Sequence, residues 1–387
     1  MPPPIATCRR FPTAALLPVL AALAFPAASA ALPVFSRQEP APCARCHVSA
    51  PVLNAAGERF LRAGYRTAGE EAHAVARPGA LPVSVVLEAG EVVSRVERPG
   101  VGGTRVTSTP GGFEQHVLDV HAAGTAGERV SFRLQAGLDS AASSLRTKAA
   151  FVQFDGVVPG GVLAIRAGTF DAGLPFLSAA RRPTRREYLA PVEVAARGVE
   201  LNGSHAAWGY AIGMMNSSRS GNGAGGGFNR LEDTFLRVTR EFHGQEVGGR
   251  MLFDRQDSNI SWHAWLQRLQ AQIGGRFGAD RIWIVPAYTL DRFDDRPAPG
   301  IHQRHQYVLL ETLGLLGARR DWTLAARAEH EHTTPTVASP GEDHDLEALR
   351  LAREFTPNAA LAVEWSRVAT AGGSHESRVD ASVRLAY

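Results

Sequence analysis

At 387 residues the chain has room for one large domain or two medium ones. Its formal net charge is +3, and every basic residue is an arginine except Lys148, scattered rather than clustered. That balance argues against a nucleic-acid-binding surface, so no nucleic-acid partner is expected.

The first thirty residues read as a secretory leader. Arg9 and Arg10 form a basic start, Ala14 to Phe25 is apolar, and Ala28-Ser29-Ala30 is a small-residue cleavage site. Its removal takes away Cys8 and both leader arginines, leaving a net charge of +1 and only Cys43 and Cys46 as cysteines. Beyond it, no apolar run approaches the ~18 residues of a spanning helix, so the exported chain is either periplasmic or enters a membrane as strands.

Residues 31–80 form the next unit. A proline-punctuated lead (Pro33, Pro40, Pro42) runs into Cys43-Ala44-Arg45-Cys46-His47. In the CxxCH pattern two thiols add to the vinyl groups of one haem, and the adjacent imidazole ligates its iron. A zinc half-site would need a second cysteine pair, and a thioredoxin-type redox pair would need a surrounding βαβ pattern; neither is present. The expectation is one covalent haem c per chain on Cys43 and Cys46, with His47 as the proximal ligand. Ala55 to Tyr65 reads as one short helix, with Leu53, Phe60, Leu61 and Tyr65 at near-helical spacing to cover a haem face.

From residue 81 to 387 the pattern alternates with period two. Val379, Ala381, Val383 and Leu385 alternate with Arg378, Asp380, Ser382 and Arg384. The same holds for Val130, Phe132 and Leu134, for Trp322, Leu324 and Ala326, and for Leu361, Val363 and Trp365. The alternation falters near Phe151-Val152-Gln153-Phe154. About sixteen segments of roughly ten residues are separated by alternating short turns and long loops, the rhythm of an outer-membrane barrel. Short connections are expected at Gly124–Glu128, Pro159–Gly161, Gly203–His205, Phe277–Ala279, Gly317–Arg320 and Thr356–Asn358. Long outer loops are expected at Asp171–Pro191, Ser217–Asn229, Arg292–His302 and Thr333–Asp343. The fold class is therefore all-β: a transmembrane antiparallel barrel of about sixteen strands, contacting membrane lipid, with a small N-terminal helical haem segment.

A CxxCH motif, a short helix and a porin-like barrel in that order resemble the fused monohaem cytochrome–porin family of bacterial outer membranes. The residues that carry the resemblance are Pro42-Cys43, Cys46-His47, Pro51, Leu53-Asn54, Gly57, Phe60 and Gly64-Tyr65. It extends to the architecture of the whole exported chain, although this barrel is short for some relatives. Studied members are linked to iron oxidation, and similar segments occur in barrels of metal-reducing bacteria. The resemblance thus implies electron transfer more firmly than it implies iron as donor. It implies an outer-membrane location with the haem segment on the periplasmic side or inside the lumen. Its partners would be an extracellular donor such as Fe(II) and a periplasmic cytochrome. The rival readings are a diffusion porin with a structural or sensory haem plug, and outward export of electrons.

Candidates for a distal iron ligand are His73 and then His121, with an open or water-bound position beside them. Met214, Met215 and Met251 fall on strands, and Met215 faces inward near the outer rim. Acidic groups at Asp291, Asp294 and Asp295, and at Glu342, Asp343, His344 and Asp345, are expected in outer loops, where oxygen ligands and an imidazole would suit Fe(II). The simpler reading is a solvated charged loop. Arg133, Arg166, Arg237, Arg250, Glu200, Glu311 and Glu329 are expected to face the lumen and pair with one another.

Overall fold

The computed structural model describes residues 45–65, 83–100, 105–126, 129–139, 144–158, 163–178, 181–192, 195–217, 233–257, 265–279, 281–295, 301–334, 341–356 and 358–386. All lie within one compact unit. A two-strand hairpin of β1 (His47–Ser49) and β2 (Val52–Leu53) leads into helix α1 (Ala55–Arg62). A closed barrel follows. It is built from β3 (Val83–Pro99), β5 (Gly111–Thr125), β6 (Val130–Asp139), β7 (Ser144–Phe154), β8 (Ala164–Asp171), β9 (Ala195–His205), β10 (Trp208–Ser217) and β11 (Asp233–Phe242). It continues through β12 (Gln245–Asp257), β13 (Trp265–Ala279), β14 (Ile282–Asp295), β15 (Ile301–Leu316), β16 (Trp322–Thr333), β17 (Asp343–Thr356), β18 (Ala359–Thr370) and β19 (His375–Ala386). The short β4 (Arg105–Ser108) extends the outer end of β3. Sixteen strands therefore form the ring, each antiparallel to its neighbours, and β19 pairs with β3 to close it through Val379↔Val93 and Val383↔Ala89.

The alternation in the sequence is the wall of this barrel. Val379 is 46% exposed and its neighbour Asp380 only 2%. Val363, Trp365, Leu134 and Leu324 also face outward, whereas Glu364, Ser366, Ser131, Gln135 and Arg327 are buried inside. The exterior is thus the apolar side, a disposition that is stable where lipid rather than water covers it. No described helix is long and apolar enough to cross a membrane, and crossing is by strands. At the short-turn rim Trp208, Phe242, Phe154 and Phe355 form an exposed aromatic girdle. The Arg353 guanidinium lies 5.2 Å from the Trp322 ring and 5.0 Å from the Phe355 ring.

Near Phe151 the alternation in fact holds. Val152 and Phe154 point out and Gln153 is buried, while the partly buried Phe151 packs in the lumen beneath Arg166, 4.6 Å above its ring. The sequence reading missed one tight connection, His243-Gly244, where two successive left-handed residues (φ 49° and 77°) turn β11 into β12.

The segment after β8, read as an external loop, instead folds back into the lumen. Leu174, Leu177, Ala190 and Val192 bury themselves against Val285, Ala287, Tyr307 and Leu309 of β14 and β15. Wall residues then tie its backbone. Glu329 accepts the N–H groups of Leu189 (2.9 Å) and Ala190 (3.1 Å), and Arg237 donates to Gly173 O (2.8 Å). Its own side chains reach outward to the wall: Arg185 to Glu88 (3.1 Å), Arg186 to Glu376 (2.7 Å) and Tyr188 to Glu311 (3.0 Å). The same segment carries four arginines, of which Arg185 and Arg186 pair with wall carboxylates inside the lumen.

Candidate functional site: the CxxCH plug in the barrel mouth

Residues 45–65 occupy the short-turn end of the lumen. Asn54 caps α1 by accepting the Gly57 N–H (2.9 Å), which starts the helix directly after β2. Gly57 is needed because a Cβ there would sit 2.2 Å from the Cys46 carbonyl oxygen, so the helix start rests on the backbone of the motif itself. The helix ends at Arg62, earlier than the expected Tyr65, because Gly64 and Tyr65 take left-handed conformations (φ 64° and 63°). Tyr65 is buried and meets Phe60 edge-on, ring centroids 5.8 Å apart.

The wall grips this plug all round. Arg62 pairs with Glu246 (2.8 Å) and donates to Thr239 (3.2 Å), and Arg59 pairs with Glu241. Arg276 donates to Leu53 O (2.9 Å) and Gln153 to Arg62 O (3.2 Å). On the opposite wall Glu354 accepts from Ser49 Oγ (3.1 Å) and the Ala50 N–H (3.2 Å), and Arg384 donates to Ala50 O. The inserted segment meets the plug from above through Arg181 and Glu58, 3.4 Å apart. A cavity of about 30 Å³, the room of one water, remains between them, lined by Val48, Val52, Leu53, Tyr188, Trp283 and Glu311.

Within the plug, His47 is partly buried, and its Nδ1 is enclosed without a hydrogen-bond partner. Burial, reinforced by the charges of Arg384 and Arg181, lowers its pKa to about 4, so the imidazole is neutral at physiological pH. A neutral imidazole next to the Cys46 thiol is the donor chemistry that a covalent haem would use. The cavity on the lumen side is too small for the ring, while Arg45 stands exposed on the motif's other side. Cys43 and His73 lie outside the described residues.

His121 faces the lumen as its strand parity indicates, but on the wall, 3.8 Å from Asp119, with no described contact to His47. Asp119 itself takes Lys148 (2.8 Å) and Gln135 (2.9 Å). Met215 is fully buried beside Phe235 near the outer rim, and Met214 and Met251 face outward. The expected lumen charges are indeed inside: Arg166 and Arg237 share Glu200 (3.1 and 3.4 Å), and Arg133 donates to Gln135 (2.7 Å). Asp291 is not a loop residue. It is buried in β14 and bound by Arg268, whose Nε is 2.7 Å away. The side chains of Asp294 and Asp295 lie outside the description. Asp343 and Asp345 pair with His332 and His330 at 2.8 Å on the exposed outer surface. Among the described residues no three His, Cys, Asp or Glu side chains already converge as a metal centre.

A closed sixteen-strand antiparallel barrel with apolar exterior, polar lumen and an inward-folded segment is a porin-like outer-membrane fold. The solved structures it is similar to agree. The outer membrane channel DcaP of Acinetobacter baumannii superposes with TM-score 0.57 at 11% identity, over 80% of this chain and 97% of that one. The anion-selective porin of Comamonas acidovorans gives 0.52 at 10% identity, over 79% and 100%. OmpT, an outer membrane protein of Vibrio cholerae, gives 0.51 at 11% identity, over 81% and 99%. No family model matches the chain, and no curated protein matches it in sequence.

Proposed function

We propose that the chain is an outer-membrane electron conduit, exported by its 1–30 leader. One haem c would be bound to Cys43 and Cys46, with His47 on its iron, in the plug at the periplasmic mouth. The observation that carries this reading is that residues 45–65, which include Cys46 and His47, are docked into the barrel by ties to both walls. Short turns mark the periplasmic rim in barrels of this kind, which supports a plug on that side. The bound haem supplies a one-electron iron couple matched to a one-electron donor. The chain's residues do the rest: the hairpin holds His47 neutral, α1 presses on the motif through Gly57, and the inserted segment keeps bulk water out of the lumen. The donor outside is Fe(II) or another reduced metal, and the acceptor is a periplasmic cytochrome. His73 is the better candidate for a distal ligand, since His121 is engaged on the wall.

A diffusion porin is the second reading, favoured by the channel and porin structures it resembles. The plug and the inserted segment oppose it, because together they cross the lumen.

The test is haem reduction in proteoliposomes by Fe(II) supplied outside, where the wild type should respond and His47→Ala should not. Acid acetone should leave the haem on the wild type, and Cys43→Ala/Cys46→Ala should carry none. A haem that stays oxidised under external Fe(II) but is reduced from the periplasmic side would reverse the direction of transfer. Extractable haem, or none, would end the conduit reading.

A further inference from the structure

At the long-loop end of β15, β16 and β17 stand three inward-facing side chains, His305, Glu331 and His344. His305 Nδ1 lies 2.8 Å from Glu331 Oε1 and 3.1 Å from Thr333 Oγ1. Glu331 is the direct cross-strand partner of His344 on one side and of Tyr307 on the other. Their parity is that of the lumen, since Tyr307, Glu329 and Leu346 on the same faces are buried. All three remain open to water, with side chains 18%, 14% and 29% exposed. His344 Nε2 is 3.4 Å from Glu342 Oε2, which adds a second carboxylate at the rim.

We propose that His305, Glu331 and His344 form an entry site for a divalent first-row transition-metal ion at the extracellular mouth. Glu331 and His344 are directly opposed, with Cβ atoms about 4.5–5.5 Å apart, whereas His305 is opposite Thr333, diagonal to Glu331, and reaches it through its 2.8 Å contact. One ion with bonds of about 2.0–2.2 Å fits among three side chains so placed. Two imidazoles and a carboxylate prefer Fe(II) and its neighbours over magnesium or calcium, which favour oxygen alone. His305 is now hydrogen-bonded to Glu331 and His344 stands 3.4 Å from the Glu342 carboxylate, and an ion would replace those contacts. On the same strands His330 and His332 face outward in pairs with Asp345 and Asp343, and they serve as built-in controls. The identity of the ion as electron donor rests on the conduit reading; its binding does not.

The experiment uses the full haem-bearing protein in detergent, purified without a histidine tag, and follows the visible absorption of added Co(II). One Co(II) per chain should bind in the wild type and in His330→Gln/His332→Gln. His305→Gln/His344→Gln should weaken binding by about 10–100-fold or more, with folding verified by the heat-dependent gel shift of intact barrels. Undiminished binding by a folded His305→Gln/His344→Gln protein overturns the proposal, and so does a wild type that binds no Co(II). If Co(II) binds as expected but external Fe(II) leaves the haem oxidised, Fe(II) as the electron donor fails and the site stands.

Discussion

Glu58 begins as an ordinary first-turn acid, suited to the positive end of α1. Docking buries it to 2% exposure, and burial raises its pKa above the usual carboxylate value, with Arg181, Arg276 and Arg62 pulling it back in part. A carboxyl raised in the docked state binds its proton more tightly there than when released. Its contribution to docking is therefore full below about pH 4.5 and falls as the pH rises through the raised value. Plug protection, measured as protease resistance of residues 45–65, should weaken from pH 5 to pH 8 in the wild type. Glu58→Gln should flatten that dependence; an unchanged slope would assign it to another group. The motif and the helix were readable from residue types and spacing, because covalent chemistry and capping are local. Glu58 was not, because its burial is set by Arg181, more than a hundred residues along the chain.

Among the elements, strands were legible because one face of each meets lipid and the other a polar lumen, which imposes a strict period of two. What escaped was decided by distant partners. The His243-Gly244 turn is too short to interrupt the alternation around it. The segment after β8 looks like any long loop until Glu88, Glu329, Glu364 and Glu376 are seen facing it. Those acids supply a direct test. Arg185→Glu/Arg186→Glu sets like charges against Glu88, Glu364 and Glu376 and should drive the segment from the wall. Single-molecule conductance in planar bilayers should then rise several-fold over a nearly closed wild type. If conductance does not change, the plug alone seals the lumen.

For the molecule as a whole, the rims carry opposite expectations. In intact cells a cysteine at Glu342→Cys, on the long-loop rim, should take an impermeant thiol reagent, and one at Arg319→Cys, on a short turn, should not. Labelling of both, or the reverse pattern, would invert the barrel. The ring closes only where β19 meets β3, and the plug lies upstream of β3 yet is held by Arg384 and Glu354 from the last strands of the chain. The plug is therefore made before the strands that hold it and is seated after them. The docked plug encloses the Nδ1 of His47, and a bulky group on this segment would be easier to attach before the plug is seated. If a haem is carried there, the order that follows is cofactor first, strands second, plug last.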